Sequence, residues 1–97
     1  MYVGVLEFDV LLGDVGSLKQ KRSLVKPVIA ELRRRFEVAA AEAGQHELHR
    51  RSLIGVAVVS PDSAHMHQVL DACERLVAAR PELELLSSHR RVLGPQD

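Results

Sequence analysis

Two segments, YVGVLEFDVLLG at residues 2–13 and RSLIGVAVVS at 51–60, are apolar at almost every position, and they restrict what this chain can build. In the first, Tyr2, Leu6, Phe8, Val10 and Leu12 share one parity and Val3, Val5, Glu7, Asp9 and Leu11 the other, so one strand face is wholly apolar. In the second, the bulky Ile54, Val56 and Val58 oppose Leu53, Gly55, Ala57 and Val59. Strands this greasy belong in the middle of a sheet, with more polar strands at its edges.

Helical signals separate them. Ser17 followed three residues later by Gln20 reads as a capping box after the turn Gly13-Asp14-Val15-Gly16. Val25, Val28, Ile29, Leu32 and Phe36 then recur at helical spacing. Pro27 lies inside that stripe, so the helix is either kinked there or starts near Ser23. FEVAAAEA, residues 36–43, reads two ways. Its alanines and glutamates favour continued helix, while Phe36, Val38 and Ala40 alternate as an edge strand would, and Gly44 ends it on either reading. Ser60-Pro61-Asp62 marks a second helix start, with Ser60 as cap. Met66, Val69, Leu70, Cys73, Leu76 and Val77 form its buried stripe, and Pro81 stops it. ELELLSSHRRVLG follows as a last strand with Leu83 and Leu85 inward, giving one unit over residues 1–93 and a polar tail at 94–97.

With 97 residues and 46% hydrophobic composition, a single core is the default. The longest apolar stretch, Leu53 to Val59, spans 7 residues, far short of the roughly 18 to 20 of a membrane helix. No export signal marks the amino terminus. The lone cysteine, Cys73, excludes an intrachain disulfide and suits a reducing cytoplasm.

The pieces YVGVLEFDV, SLKQKRSLVKPVIAELRRRFEVAAAE, RRSLIGVAVVS and HQVLDACERL resemble, in this order and over almost the whole chain, the YlxP-like family of small bacterial proteins of unknown function. The resemblance implies an α+β, ferredoxin-like βαββαβ sandwich: a four-stranded antiparallel sheet with strands one and three in the centre and two helices on one face. It therefore implies a strand at 36–43. Members tend to be encoded beside transcription-termination, translation-initiation and ribosome-maturation factors, which implies a role near RNA or the ribosome. Pro27 departs from the family pattern.

Thirteen Lys and Arg balance 13 Asp and Glu, so the whole molecule has no global field for nucleic acid. Resolved along the chain, neutrality breaks up. Residues 17–35 hold Lys19, Lys21, Arg22, Lys26, Arg33, Arg34 and Arg35 against Glu31 alone, a local +6, and segments 1–16 and 36–49 each sum to −3. Ser17, Lys19, Lys21, Arg22 and Lys26, at and after a helix amino terminus, form the candidate RNA- or anion-binding set. The alternative use of these cations is a solvated helix face, and for Arg33 to Arg35 a favourable position at a helix carboxyl terminus. Arg50 with Arg51, and His89 to Arg91, are further basic clusters.

Other chemistries fit less well. The GDVG turn matches the clamp of a KH module, but it follows a strand, and Asp14 would repel phosphate. An acylphosphatase-like cradle lacks its arginine in this loop and any asparagine in the chain. Base stacking on the open sheet face needs aromatics there, yet Tyr2 and Phe8 have core parity, and Glu7 and Asp9 face out, where they can pair with Arg90. His65 and His67 lie about 200° apart around a helix, and His46 with His49 lack a third ligand, so no metal and no cofactor is expected. Cys73 reads as a core residue, and no nucleophile, base and orienting group can be assembled, so the chain reads as a non-enzyme. Val3, Val5, Leu53, Gly55, Ala57 and Val59 leave an apolar open face that a second copy of the chain would cover. Two functions follow: a cytoplasmic RNA- or ribosome-associated factor, or a homo-oligomeric interaction module.

Overall fold

A computed structural model describes residues 1–96; Asp97, part of the expected tail, lies outside the described residues. The elements run β1 (Tyr2–Leu12), α1 (Leu18–Phe36), β2 (Ala39–Gly44), β3 (Arg51–Ser60), α2 (Ser63–Ala78) and β4 (Leu83–Leu93). All neighbouring strands are antiparallel, in the order β2-β3-β1-β4. This is the ferredoxin-like α+β arrangement, and the two greasy strands occupy its centre.

The parity of β1 and β3 sets the layers. Leu6, Phe8, Val10, Leu12, Ile54 and Val56 are buried under the helices, joined by Val25, Val28 and Leu32 of α1 and Met66, Leu70, Cys73 and Val77 of α2. Gly4 lets α2 approach β1 closely: a Cβ there would stand 2.8 Å from Leu70 Cδ1 and 2.9 Å from Met66 Sδ.

Ser17 caps α1, its Oγ accepting from Gln20 N as in a capping box, while Gln20 Oε1 reaches one residue further back than the box requires and accepts from Gly16 N. The helix does not begin at Ser23. It runs through Pro27, whose missing N–H leaves the Ser23 carbonyl without its helical donor. Phe36 closes the helix rather than opening a strand. Glu37, in the left-handed conformation (φ 53°), donates its N–H to Arg33 O, and β2 starts two residues later. Glu37 thus breaks what helix propensity alone would have continued through the alanines. At α2 the cap is Asp62, which accepts from Ala64 N, not Ser60; the Ser60 hydroxyl is buried and accepts from Asp62 N.

A register shift between Asp9 and Val10 in the β1–β4 pairing, where Asp9 faces Ser87 but Val10 faces Leu85, leaves Leu86 as the extra residue. Leu83 and Leu85 face the core before it, and Ser88, Arg90 and Val92 lie on the helix side after it. Arg90 is thereby removed from Glu7 and Asp9. It bonds Asp71 Oδ1 at 2.8 Å and His67 Nδ1 at 3.1 Å on α2, and Asp9 pairs instead with Arg51 on β3 at 2.6 Å.

Candidate nucleic-acid interface

The basic helix divides into cations that hold the fold and cations that face solvent. Lys21, grouped by sequence with the surface cations, is only 1% exposed. Its Nζ lies 2.8 Å from Glu42 Oε2 and donates to Gln45 O at 2.6 Å, and Ser52 Oγ donates to the same Glu42 oxygen. A fully desolvated ammonium needs such partners, so Lys21 pins α1 to β2 and β3 and is withdrawn from any surface phosphate site. Burial pushes the Glu42 carboxyl up, but the hydrogen bonds from Lys21 and Ser52 and the charge of Lys21 outweigh it and hold the group below its ordinary value.

Lys19, Arg22, Lys26 and Arg33 are all exposed. At 100° per residue they fall within a sector of about 60°, and the 14 residue steps from Lys19 to Arg33 span about 21 Å of helix. None of them has an ion-pair partner among the described residues. Glu31, the single acid of α1, is taken up by Arg80, which also binds Glu82. Arg33 Nε donates to Ala40 O, leaving the terminal guanidinium nitrogens uncommitted. Arg34 points elsewhere around the helix, and Arg35 sits over the Phe36 ring, 5.4 Å from its centroid. Arg33 was the residue missed as a partner of the amino-terminal cations; the signal was its spacing of 3, 4 and 7 along Lys19, Arg22, Lys26 and itself.

The stripe borders a groove of about 450 Å³ between α1 and β2, lined by Arg22, Lys26 and Arg33, by Val25, Ile29 and Ala30, and by Ala41 and Glu42. The other basic clusters are not gathered there. Arg50 donates to Gly13 O, Arg51 to Asp9 and Arg90 to α2. Ser17 spends its acceptor oxygen on the helix cap.

The open face carries Val3, Val5, Leu53, Gly55, Ala57 and Val59, with Ala39 and Ala41 of β2 opposite Ala57 and Gly55. Val59 and Leu93 flank Val3 in one row and are 63% and 49% exposed. Phe8 is buried under the helices and Tyr2 packs against the core, so neither offers a stacking platform on this face. Cys73 is buried and its thiol is pushed up to about 11 by desolvation, which removes it as a nucleophile at neutral pH. Among the described residues no three His, Cys, Asp or Glu side chains gather as a metal site, and no helix is long and apolar enough to cross a membrane.

Fold and surface together define a small ferredoxin-like α+β protein with a cationic first helix. The chain belongs to the DUF503 family, described as a protein of unknown function, whose model matches residues 3–90. It is similar to the uncharacterized protein YlxP of Bacillus subtilis, with 28% identity over 82 residues covering 84% of this chain and 89% of that one. Among solved structures it is similar to a mutant of SnoaB, a cofactor-independent oxygenase from Streptomyces nogalater, with TM-score 0.51, 10% identity, and coverage of 99% and 94% of the two chains. At that identity the likeness concerns the fold alone.

Proposed function

We propose that this protein is a non-catalytic factor that holds the phosphate backbone of RNA along α1. The observation that carries the reading is the uncompensated line of Lys19, Arg22, Lys26 and Arg33 on one helix face. Counter-ion release from RNA would supply the affinity, so binding would be salt-dependent and indifferent to sequence. Ribosomal subunits, the partner implied by the family resemblance, offer such a backbone, and the reading puts the work in the cytoplasm, where an unpaired thiol is stable. Co-sedimentation of the protein with ribosomal subunits tests it. Association should weaken as salt rises and be lost in the combined Lys19→Ala, Arg22→Ala, Lys26→Ala variant. Absence of the protein from the subunit fractions at low salt, or association that the triple variant retains, would overturn it.

A second reading concerns assembly. The apolar row of Val59, Val3 and Leu93, exposed at Val59 and Leu93 and half-buried at Val3, favours a homo-oligomer packed through the open face, with Val5, Leu53, Gly55 and Ala57 as its flatter floor. The two readings use opposite sides of the molecule and are compatible.

A further inference from the structure

We infer that the α1–β2 groove takes single-stranded RNA in preference to duplex. The inference rests on the phosphate-backbone reading and adds the strandedness of the ligand. The cationic stripe does not stand on an isolated ridge. Arg22, Lys26 and Arg33 line a concave channel whose other wall is β2, whose floor is the buried Val25 and Ile29, and whose outer rim on the helix carries the exposed Ala30. A single backbone can lie in such a channel with its phosphates along the cations and its sugars on the small apolar side chains. A duplex is a far wider rod. It could touch the rim but not the floor, and its recognition elsewhere proceeds across a broad, shallow minor groove that a channel of this kind does not complement.

Charge complementarity points to the same occupant. Glu42 is the one carboxylate lining the channel, and its charge is met by the buried Lys21 directly beneath it. The wall facing the cations therefore does not repel a polyanion. Arg33, tethered through Nε to Ala40 O, holds its remaining nitrogens at the far end of the channel without the entropy cost of fixing a free side chain. No aromatic side chain lines the channel, so bases would not be stacked or read, and the contact would track backbone only.

Fluorescence anisotropy with a labelled 12-nucleotide oligouridine and with a hairpin duplex of equal phosphate count tests the inference. The single strand should bind at least tenfold more tightly, with a salt slope near −2.8, the value for four phosphates neutralised on a single strand at about 0.7 each. Ala30→Leu keeps the charge and the helix propensity but narrows the channel at its outer rim. It should weaken single-strand binding about tenfold while circular dichroism and melting temperature stay those of the parent. Equal or tighter binding of the duplex, or an unaltered affinity in Ala30→Leu, would overturn the groove while leaving backbone recognition by α1 in place. Failure of both oligonucleotides to bind at 50 mM salt would overturn the backbone reading itself and the groove with it.

Discussion

Lys21 and Glu42 meet 2.8 Å apart beneath the first helix, one from the start of α1 and the other from the edge strand β2. The pair joins the most cationic and one of the most acidic stretches of the chain, and it does so inside the molecule. Lys21 is therefore a structural member of a helix whose other cations are free to act outward. Removing it leaves the Glu42 carboxylate with only Ser52 as a side-chain hydrogen-bond partner.

Lys21→Met should destabilise the fold by about 3 kcal/mol at neutral pH, the cost of orphaning one member of a largely buried ion pair. The pH dependence carries the sharper test. Because the folded Glu42 carboxyl is held below its ordinary value, the unfolded chain binds more protons in the window between the two values. The pair therefore stabilises the fold above the ordinary carboxylate range, and that stability is lost as the pH falls through the folded value. In Lys21→Met, burial is left to push Glu42 upward, so the deficit relative to the parent should narrow on acidification. Thermal melts of both proteins between pH 7 and pH 3 measure it; a deficit constant with pH would contradict the assignment.

The edge of β2 is blunted by side chains. Arg33 Nε donates to Ala40 O at 2.9 Å and His46 Nε2 bonds Glu42 O at 3.1 Å, two carbonyls of the same parity on a strand that pairs only with β3. Unpaired edge groups invite strand addition from other chains. The combined Arg33→Ala, His46→Ala variant should remain folded yet grow into assemblies larger than those of the parent as its concentration rises, giving more scattering than the parent at equal concentration. A variant as dispersed as the parent would show that these contacts do not guard the edge.

How far the fold was legible in the sequence depended on whether a signal was local. The parity of β1 and β3, the Ser17–Gln20 box and the buried stripe of α2 are short-range patterns, and they emerge where the residues place them. The β2 strand was not local: alanine and glutamate favour helix, and the break comes from the backbone at Glu37 and from pairing with β3. The extra residue Leu86 is equally silent in a period-two reading, and it moved Arg90 from one face of the sheet to the other. At the candidate site, charge segregation marked α1 as the most cationic element, but sequence adjacency grouped Lys21 with Lys19 and Arg22. Helical geometry separates it from them and brings Arg33 in.

Gly4 tests the packing of α2 on β1. An added Cβ meets Leu70 Cδ1 and Met66 Cγ and Sδ at 2.8–2.9 Å. Those are the ends of flexible side chains, so Gly4→Ala should fold but lose about 1–3 kcal/mol through off-rotamer packing. Chemical denaturation should show a lower midpoint with an unchanged slope. An unchanged midpoint would mean that the helix rides on the sheet with room to spare.

The open face yields the last prediction. Its row of Val59, Val3 and Leu93 is apolar and exposed at Val59 and Leu93, and the next rows carry Arg91 beside Val5 and Glu7 beside His89. Neither Arg91 nor Glu7 has an ion-pair partner among the described residues, in contrast to Asp9, which Arg51 holds. A two-fold packing of two such faces can set Glu7 of one copy against Arg91 of the other while covering both apolar rows, the self-complementarity that an isologous dimer requires. Sedimentation equilibrium of the parent should give a dimer at micromolar concentration. Val59→Asp, which buries a carboxylate in that contact but leaves a monomer's surface more soluble, should give a monomer with the parent's circular dichroism. Glu7→Arg should weaken the dimer, and adding Arg91→Glu should restore it. A monomeric parent, or a charge reversal that the second substitution fails to rescue, would exclude this face as the interface.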